Sequence, residues 1–289
     1  MYPANFDYYR PETVAEAVEL LHKNKDAKVL AGGHSLLPQM KLRVSTPPVL
    51  VDIGRIKGLA DIKVDDKKVT IGALTTHAMI AGSDTLKKAC PVLAEAAALI
   101  GDVQVRNRGT IGGSLCHADP AADFPTVVVA LGGTLTATGP EGDREIEADK
   151  FFQDLFTTTL KPGEILTSIR VPAYGNSPGM GGCYLKHRHP ASSYAVVGVA
   201  AIVGLEDGKV SHVSLVIGGT TANPVHAAAA EEALKGKEPS ADNIAAAAEK
   251  VGEIKATMHD TYASAEYRVH LAQVMAKRAL TMAAERAKG

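Results

Sequence analysis

The sequence predicts an α+β fold in two lobes, and three observations carry that prediction. Strand-like and helix-like segments follow one another without the regular alternation that a doubly wound sheet requires. A turn-rich stretch, YGNSPGMG, lies between Pro172 and Gly182 and marks a domain boundary. The 289 residues suit one large or two modest domains, at about 150 residues per domain.

The elements read in order as follows. Pro11 suits a first-turn position, and Val14, Ala17, Val18 and Leu21 then share one face of a helix. The run from Lys28 to Ala31 reads as a buried strand that leads directly into Gly32 and Gly33. A second strand, Val49 to Ile53, is set off by Pro47 and Pro48. Ile62–Val64 and Val69–Ile71 alternate around Asp65, Asp66 and Lys67, the pattern of a hairpin. Helices are expected over Thr75–Ala81 and Pro91–Ile100, and irregular chain over 101–125. Leu135–Ala137 and Ile165–Val171 read as strands. Beyond the boundary, Tyr194–Val203 and Val210–Ile217 form an antiparallel pair turned at Glu206-Asp-Gly208. Helices close the chain over Val225–Leu234, Asp242–Val251 and from about Ser264, the last with Tyr267, Leu271, Val274, Arg278 and Met282 on one face.

Composition excludes several functions. With 31 Lys+Arg against 32 Asp+Glu there is no bulk field for nucleic acid or an anionic membrane. Aromatics make up 4% with no Trp, which argues against base-stacking platforms. Cys90, Cys116 and Cys183 are widely spaced, so they cannot form a Cys₄ cluster or a zinc ribbon, and reduced thiols are expected. No apolar run reaches a membrane span, and no targeting peptide is visible, so a cytoplasmic chain is expected.

Two glycine loops carry the chemistry. One is Ala31-Gly32-Gly33-His34-Ser35; the other is Thr110-Ile111-Gly112-Gly113-Ser114, followed by Asp119 and Asp123. Glycine pairs let backbone N–H groups approach a ligand, and successive N–H groups form a nest for a phosphate or pyrophosphate. Ser35, Thr110 and Ser114 add hydroxyls, and the two aspartates can accept from sugar or ribityl hydroxyls. The bland alternative is a pair of tight turns, with Asp119-Pro120 as a common turn start. Neither loop matches a dinucleotide-binding GxGxxG or a phosphate-binding GxxxxGK[ST]. Two similar loops in one lobe suggest two walls of one dinucleotide site, with no room for a side chain at Gly33 or Gly113.

AGGHSLLPQMK and RNRGTIGGSLCHADPAADFP, with GEILTSIRVP at 163–172 and YLKHRHPASSYAVV at 184–197, resemble the FAD-binding medium subunits of the molybdenum hydroxylases, the xanthine dehydrogenase superfamily. The carbon monoxide dehydrogenase type is the nearest in appearance. The similarity runs in order from FDYYRPET to the Tyr267-Arg268 helix. It implies a flavin fold of the vanillyl-alcohol-oxidase type over 1–175, in subdomains 1–55 and 56–175, and a C-terminal domain over 180–289 with a small antiparallel sheet and helices. It implies FAD contacts at Ala31, Gly32, Gly33, His34 and Ser35, and at Thr110, Ile111, Gly112, Gly113 and Ser114. The family's acid falls on Asp123, its apolar flavin contact on Leu166, its lysine on Lys186 and the residue over the isoalloxazine on Tyr194. Core, surface or strand-packing roles are the blander readings for the last three.

Related oxidases with a Gly-Gly-His-Ser loop attach FAD covalently through the histidine but carry a large substrate cap. The hundred or so residues after Gly182 show no such cap, so noncovalent FAD is expected. The resemblance further implies no catalytic residue of the chain's own. It implies a large molybdopterin subunit and a small subunit with [2Fe–2S] clusters as partners, in a dimer of heterotrimers. Electrons would pass through FAD to a quinone or NAD, with the complex held against the inner face of the membrane by that acceptor. The medium subunit of another molybdenum hydroxylase (for xanthine, an aldehyde or an N-heterocycle), a stand-alone flavin oxidase and a noncatalytic nucleotide-binding scaffold are the competing readings.

Overall fold

Where the chain offers a polar cap, a helix starts. The computed structural model describes residues 1–289. After β1 (Asp7–Tyr9), α1 (Val14–Lys23) begins behind Thr13, whose side chain accepts from the Glu16 amide. Pro11 lies outside the helix, because the first turn needs an acceptor at its N-cap and Thr13 provides one. Ala17, Val18 and Leu21 pack against Val49, Val51 and Ile53. β2 (Lys28–Leu30), α2 (Leu36–Lys41) and β3 (Val49–Asp52) complete this lobe. Its sheet runs β1-β3-β2, with both pairings parallel.

The second lobe opens with the expected hairpin, β4 (Ile62–Val64) and β5 (Lys68–Gly72). Six helices follow: α3 (His77–Gly82), α4 (Asp84–Ala89), α5 (Pro91–Leu99), α6 (Val103–Arg108), α7 (Ile111–His117) and α8 (Asp123–Ala130). The stretch 101–125 is therefore not irregular as the sequence suggested. Gly, Asp and Pro there act as boundaries: Asp102 caps α6, Thr110 caps α7, and Ala118 ends α7 in the left-handed region at φ 50°. Helices this short owe their stability to packing rather than propensity, which is why periodicity missed them.

β6 (Thr134–Gly139) and β7 (Gly142–Glu147) form a second hairpin, followed by α9 (Ala148–Phe151) and the small pair β8 (Phe152–Asp154) and β9 (Thr157–Thr158). β10 (Ile165–Pro172) then enters between the two hairpins, giving a five-stranded antiparallel sheet in the order β4-β5-β10-β6-β7.

The third sheet is antiparallel, β11 (Met180–Arg188), β12 (Ala195–Glu206), β13 (Lys209–Gly218) and β14 (Val225–His226), in chain order. Asp207 and Gly208, at φ 50° and 76°, make the turn between β12 and β13 that the sequence located. The segment read as a helix from Val225 begins instead as β14, and only Ala228–Leu234 (α10) is helical, because Val225 and His226 pair with Ile217 and Val216. α11 (Ala241–Lys250) and α12 (Ala265–Lys288) finish the chain. The face expected for α12 is also corrected. Tyr267 is exposed, and the buried stripe runs through Arg268, Leu271, Ala272, Met275, Ala276, Ala279 and Ala283. Alanine lets the helix backbone sit on the sheet: a Cβ at Gly181 would lie 2.1 Å from the Ala283 carbonyl oxygen.

The core between the second sheet and its helices continues into Tyr184, Ala200, Ile202 and Val216 of the third sheet. This continuity seats α8 on β12 and β13 and α5 on β11, which decides the geometry of the site. No helix is long and apolar enough to cross a membrane, and all three cysteines are free.

Candidate functional site

A cavity of about 850 Å³ opens between the first two lobes and reaches the third, within the roughly 300–1,000 Å³ of small-molecule and cofactor sites. Ala31, Gly32, Gly33, His34 and Ser35 line one wall, and Thr110, Gly112, Gly113 and Ser114 the facing one. Asp123, Leu166 and Tyr194 also line it. Ile111 and Lys186 do not: Ile111 is wholly buried in the core, and Lys186 reaches the cavity only through another side chain.

The two loops are built differently. In the first, the amides of Gly32, Gly33, His34 and Ser35 donate to no group in the chain, so a run of N–H donors remains available. Gly33 adopts φ 75°, which favours glycine, and His34 Nδ1 lies 3.2 Å from the Gly32 carbonyl oxygen. A Cβ on Gly32 would meet the Arg108 carbonyl oxygen at 2.1 Å, so that glycine is required by the close approach of the two loops.

The second loop is no nest, contrary to the sequence reading. It is the first turn of α7, and its amides are already used. Ile111 donates to Thr75 O at 3.0 Å, Gly112 to Ala73 O at 2.9 Å, Gly113 to Thr110 Oγ1 at 3.0 Å and Ser114 to Thr110 O at 3.0 Å. Gly112 is glycine because a Cβ would lie 2.5 Å from that of Ala73. A Cβ on Gly113 would meet only Thr110 Oγ1, at 2.8 Å, so the expected intolerance there reduces to a disturbed N-cap.

Asp123 opens α8 and is 5% exposed. Its carboxylate accepts from the Tyr184 hydroxyl at 2.7 Å and from Lys186 Nζ at 3.0 Å. Burial pushes the Asp123 carboxyl up and the Lys186 ammonium down, and their mutual attraction opposes both shifts. The triad thus places a neutralised acid at the cavity wall and ties α8 to β11. Asp119 also lines the cavity, with one carboxylate oxygen accepting from the Ala121 amide at 2.9 Å in an Asx turn and the other left over. Leu166, on β10, is 3% exposed and lines the cavity beside a register shift between Leu166 and Ser168. Tyr194 is 45% exposed, and its carbonyl oxygen accepts from the His189 amide at 2.8 Å, which closes the loop before β12.

His77, Phe156, Ser192 and Ser193 also line the cavity, and sequence reasoning missed them. The two serines sit inside the quoted YLKHRHPASSYAVV motif, directly before Tyr194. Phe156 and His77 belong to no motif. Only the Thr76 cap ahead of α3 hints that His77 sits at a fixed helix start.

Residues 4–174 match the family described as the FAD binding domain in molybdopterin dehydrogenase. The chain belongs to the FAD-binding medium subunits of the molybdenum hydroxylases. Residues 183–283 match the CO dehydrogenase flavoprotein C-terminal domain. The chain is 39% identical to the carbon monoxide dehydrogenase medium chain of Afipia carboxidovorans, covering 100% of both. It is also 39% identical to the 6-hydroxypseudooxynicotine dehydrogenase complex subunit alpha of Paenarthrobacter nicotinovorans, over 100% of this chain and 97% of that one. Among solved structures, carbon monoxide dehydrogenase from Hydrogenophaga pseudoflava, lacking the Mo-pyranopterin moiety of its molybdenum cofactor, superimposes with a TM-score of 0.95 at 40% identity, covering 99% of each chain. The chain is thus an FAD-dependent oxidoreductase subunit of this family, with an α+β fold.

The residues present fit that cofactor. FAD brings an anionic pyrophosphate, and the first loop brings unspent N–H donors on a backbone bare of side chains at Gly32 and Gly33.

Proposed function

We propose that this chain is the flavin relay of a molybdenum hydroxylase, of the carbon monoxide dehydrogenase type in the first instance. The observation that carries the reading is the run of unpaired amides at Gly32–Ser35 facing the α7 wall across one large cavity. When bound, FAD supplies the redox chemistry, taking electrons from [2Fe–2S] clusters of a small subunit and passing them to an acceptor such as a quinone or NAD. A large molybdopterin subunit oxidises the substrate, and two such heterotrimers pair. The chain divides into an FAD-binding unit over 1–175, with subdomains 1–55 and 56–175, and a C-terminal unit over 180–289. The same reading puts the complex in the cytoplasm, against the inner face of the membrane where its acceptor is a quinone.

Within the chain, the amides of Gly32, Gly33, His34 and Ser35 would hold the pyrophosphate, and Ala31 lines the same wall. Thr110, Gly112, Gly113 and Ser114 shape the opposite wall by leaving space rather than by donating amides, and Ile111 anchors that wall in the core. Leu166 would exclude water from the ring system, and Tyr194, half-exposed at the cavity, would cover it. Asp123, neutralised by Lys186, presents an acceptor without adding net charge near an electron-accepting ring. Lys186 acts through Asp123 as a positioning residue.

Stopped-flow absorbance on the three-subunit complex tests the relay. The flavin should bleach after the clusters when the large subunit's substrate is added, and the medium chain alone should stay oxidised. Cluster reduction without flavin reduction in FAD-loaded wild type would sink the reading. A second measurement concerns attachment. Acid precipitation should release all flavin into the supernatant, since the cavity holds it by hydrogen bonds and packing. Yellow colour kept in the pellet, and lost in His34→Ala, would instead indicate a covalent bond to His34.

A further inference from the structure

His77 lines the cavity, yet neither the sequence motifs nor the relay reading uses it. It sits on the first turn of α3, where its amide donates to the Gly109 carbonyl oxygen at 2.9 Å and Phe124 packs on its ring with centroids 5.3 Å apart. The residue is 5% exposed and lines the cavity. It also lies where the two loops meet. Gly32 abuts Arg108 and Gly109, and a Cβ on Gly109 would come within 2.7 Å of His77 Nε2.

The ring's hydrogen bonding is incomplete. Nδ1 is sealed from solvent and has no partner, and Nε2 reaches no acceptor in the chain. A neutral imidazole carries one N–H and one bare nitrogen. A sealed N–H without an acceptor is rarer and more costly than a sealed lone pair, so the proton belongs on Nε2. Burial first, then the nearby His34 and Arg106, lower the ring's pKa to about 4, so it offers a donor without a charge.

We propose that His77 is a cofactor-binding residue whose Nε2–H donates to an anionic oxygen of FAD beside the first glycine loop. It holds the pyrophosphate side of the cofactor alongside the free amides of Gly32–Ser35, and does so as a neutral group. The inference rests on the FAD reading of the cavity.

The test is a fluorescence titration of the full chain with FAD, for wild type, His77→Gln and His77→Phe, with the thermal midpoint of each flavin-free protein as a folding check. His77→Phe should bind FAD roughly tenfold to a hundredfold more weakly, as for a lost hydrogen bond to a charged group. His77→Gln, whose amide can still donate, should recover most of that affinity. Equal affinity in folded His77→Phe overturns the proposal. Should His77→Phe fail to fold, long-range ¹H–¹⁵N spectra of histidine-labelled wild type decide. The proposal requires an Nε2–H tautomer whose Nε2 resonance moves on adding FAD, and an Nδ1–H tautomer or an unmoved resonance overturns it. Wild-type chain that takes up no FAD would instead fail the relay reading, which keeps the two apart.

Discussion

Gly32→Ala is expected to purify with little or no flavin and to lose about 1–3 kcal/mol of stability, the range for overpacking a well-filled site. The added Cβ would sit 2.1 Å from the Arg108 carbonyl oxygen and 2.8 Å from its carbon, both backbone atoms that no rotamer change can move aside. Relief must come from separating the loops, and that also spoils the spacing of the two cavity walls. Gly82→Ala is the matched control. Nothing lies within 4 Å of its added Cβ, and alanine in α3 should be neutral or stabilising by up to about 1 kcal/mol. The flavin-to-protein absorbance ratio and denaturant midpoints report both effects. A Gly32→Ala protein with wild-type flavin content and midpoint would mean that the loops do not meet as described.

Lys186→Met should destabilise the fold by about 3–5 kcal/mol, since it strands a buried carboxylate. Lys186 and Asp123 side chains are 2% and 6% exposed, so solvent cannot take over the lost partner. Asp123→Asn/Lys186→Met should be clearly more stable than Lys186→Met alone, because the neutral amide keeps an oxygen for the Tyr184 hydroxyl. The pH dependence has a definite sign. Burial already pushes the Asp123 carboxyl up, and without Lys186 the opposing attraction is gone. A carboxyl whose folded pKa exceeds its unfolded one contributes stability at low pH and loses it as pH rises. The deficit of Lys186→Met against wild type should therefore shrink on acidification from neutral pH. Thermal melts across that range measure it, and a constant deficit would show that Asp123 is not left charged and unpaired.

Much of the architecture was legible because apolar alternation and turn residues speak locally. The β4–β5 hairpin, the Asp207-Gly208 turn and the start of α12 at Ser264 all follow from a few adjacent residues. What escaped depends on partners distant in sequence. α6 and α7 form because their caps meet surrounding chain, as where Thr76 bridges to Thr110, and no periodic pattern announces that. The site shows the same split. Gly32 and Gly33 were visible as backbone-approach positions, whereas the spent amides of the second loop depend on Ala73 and Thr75, some forty residues upstream. Lys186 was read as a flavin contact because its pairing with Asp123 spans 63 positions.

The position of β10 has a bearing on how the molecule is assembled. It is the last strand of its sheet to be synthesised and the one at the centre, paired on one side with β5 and on the other with β6. The β4–β5 and β6–β7 hairpins can close early, from neighbouring chain. They cannot join until residue 172 has emerged, so each waits with one edge unpaired. Such non-local closure is slow. During translation, at about 5–20 residues per second, the nascent chain passes through a period in which two hairpins and their helices are present without a shared sheet. The α7 wall, tied through Ala73 to the end of β5 and to Thr167 of β10, and the lining residue Leu166 come into register only when that strand is inserted. Flavin capture by the growing chain should follow this step, and chaperone demand should precede it.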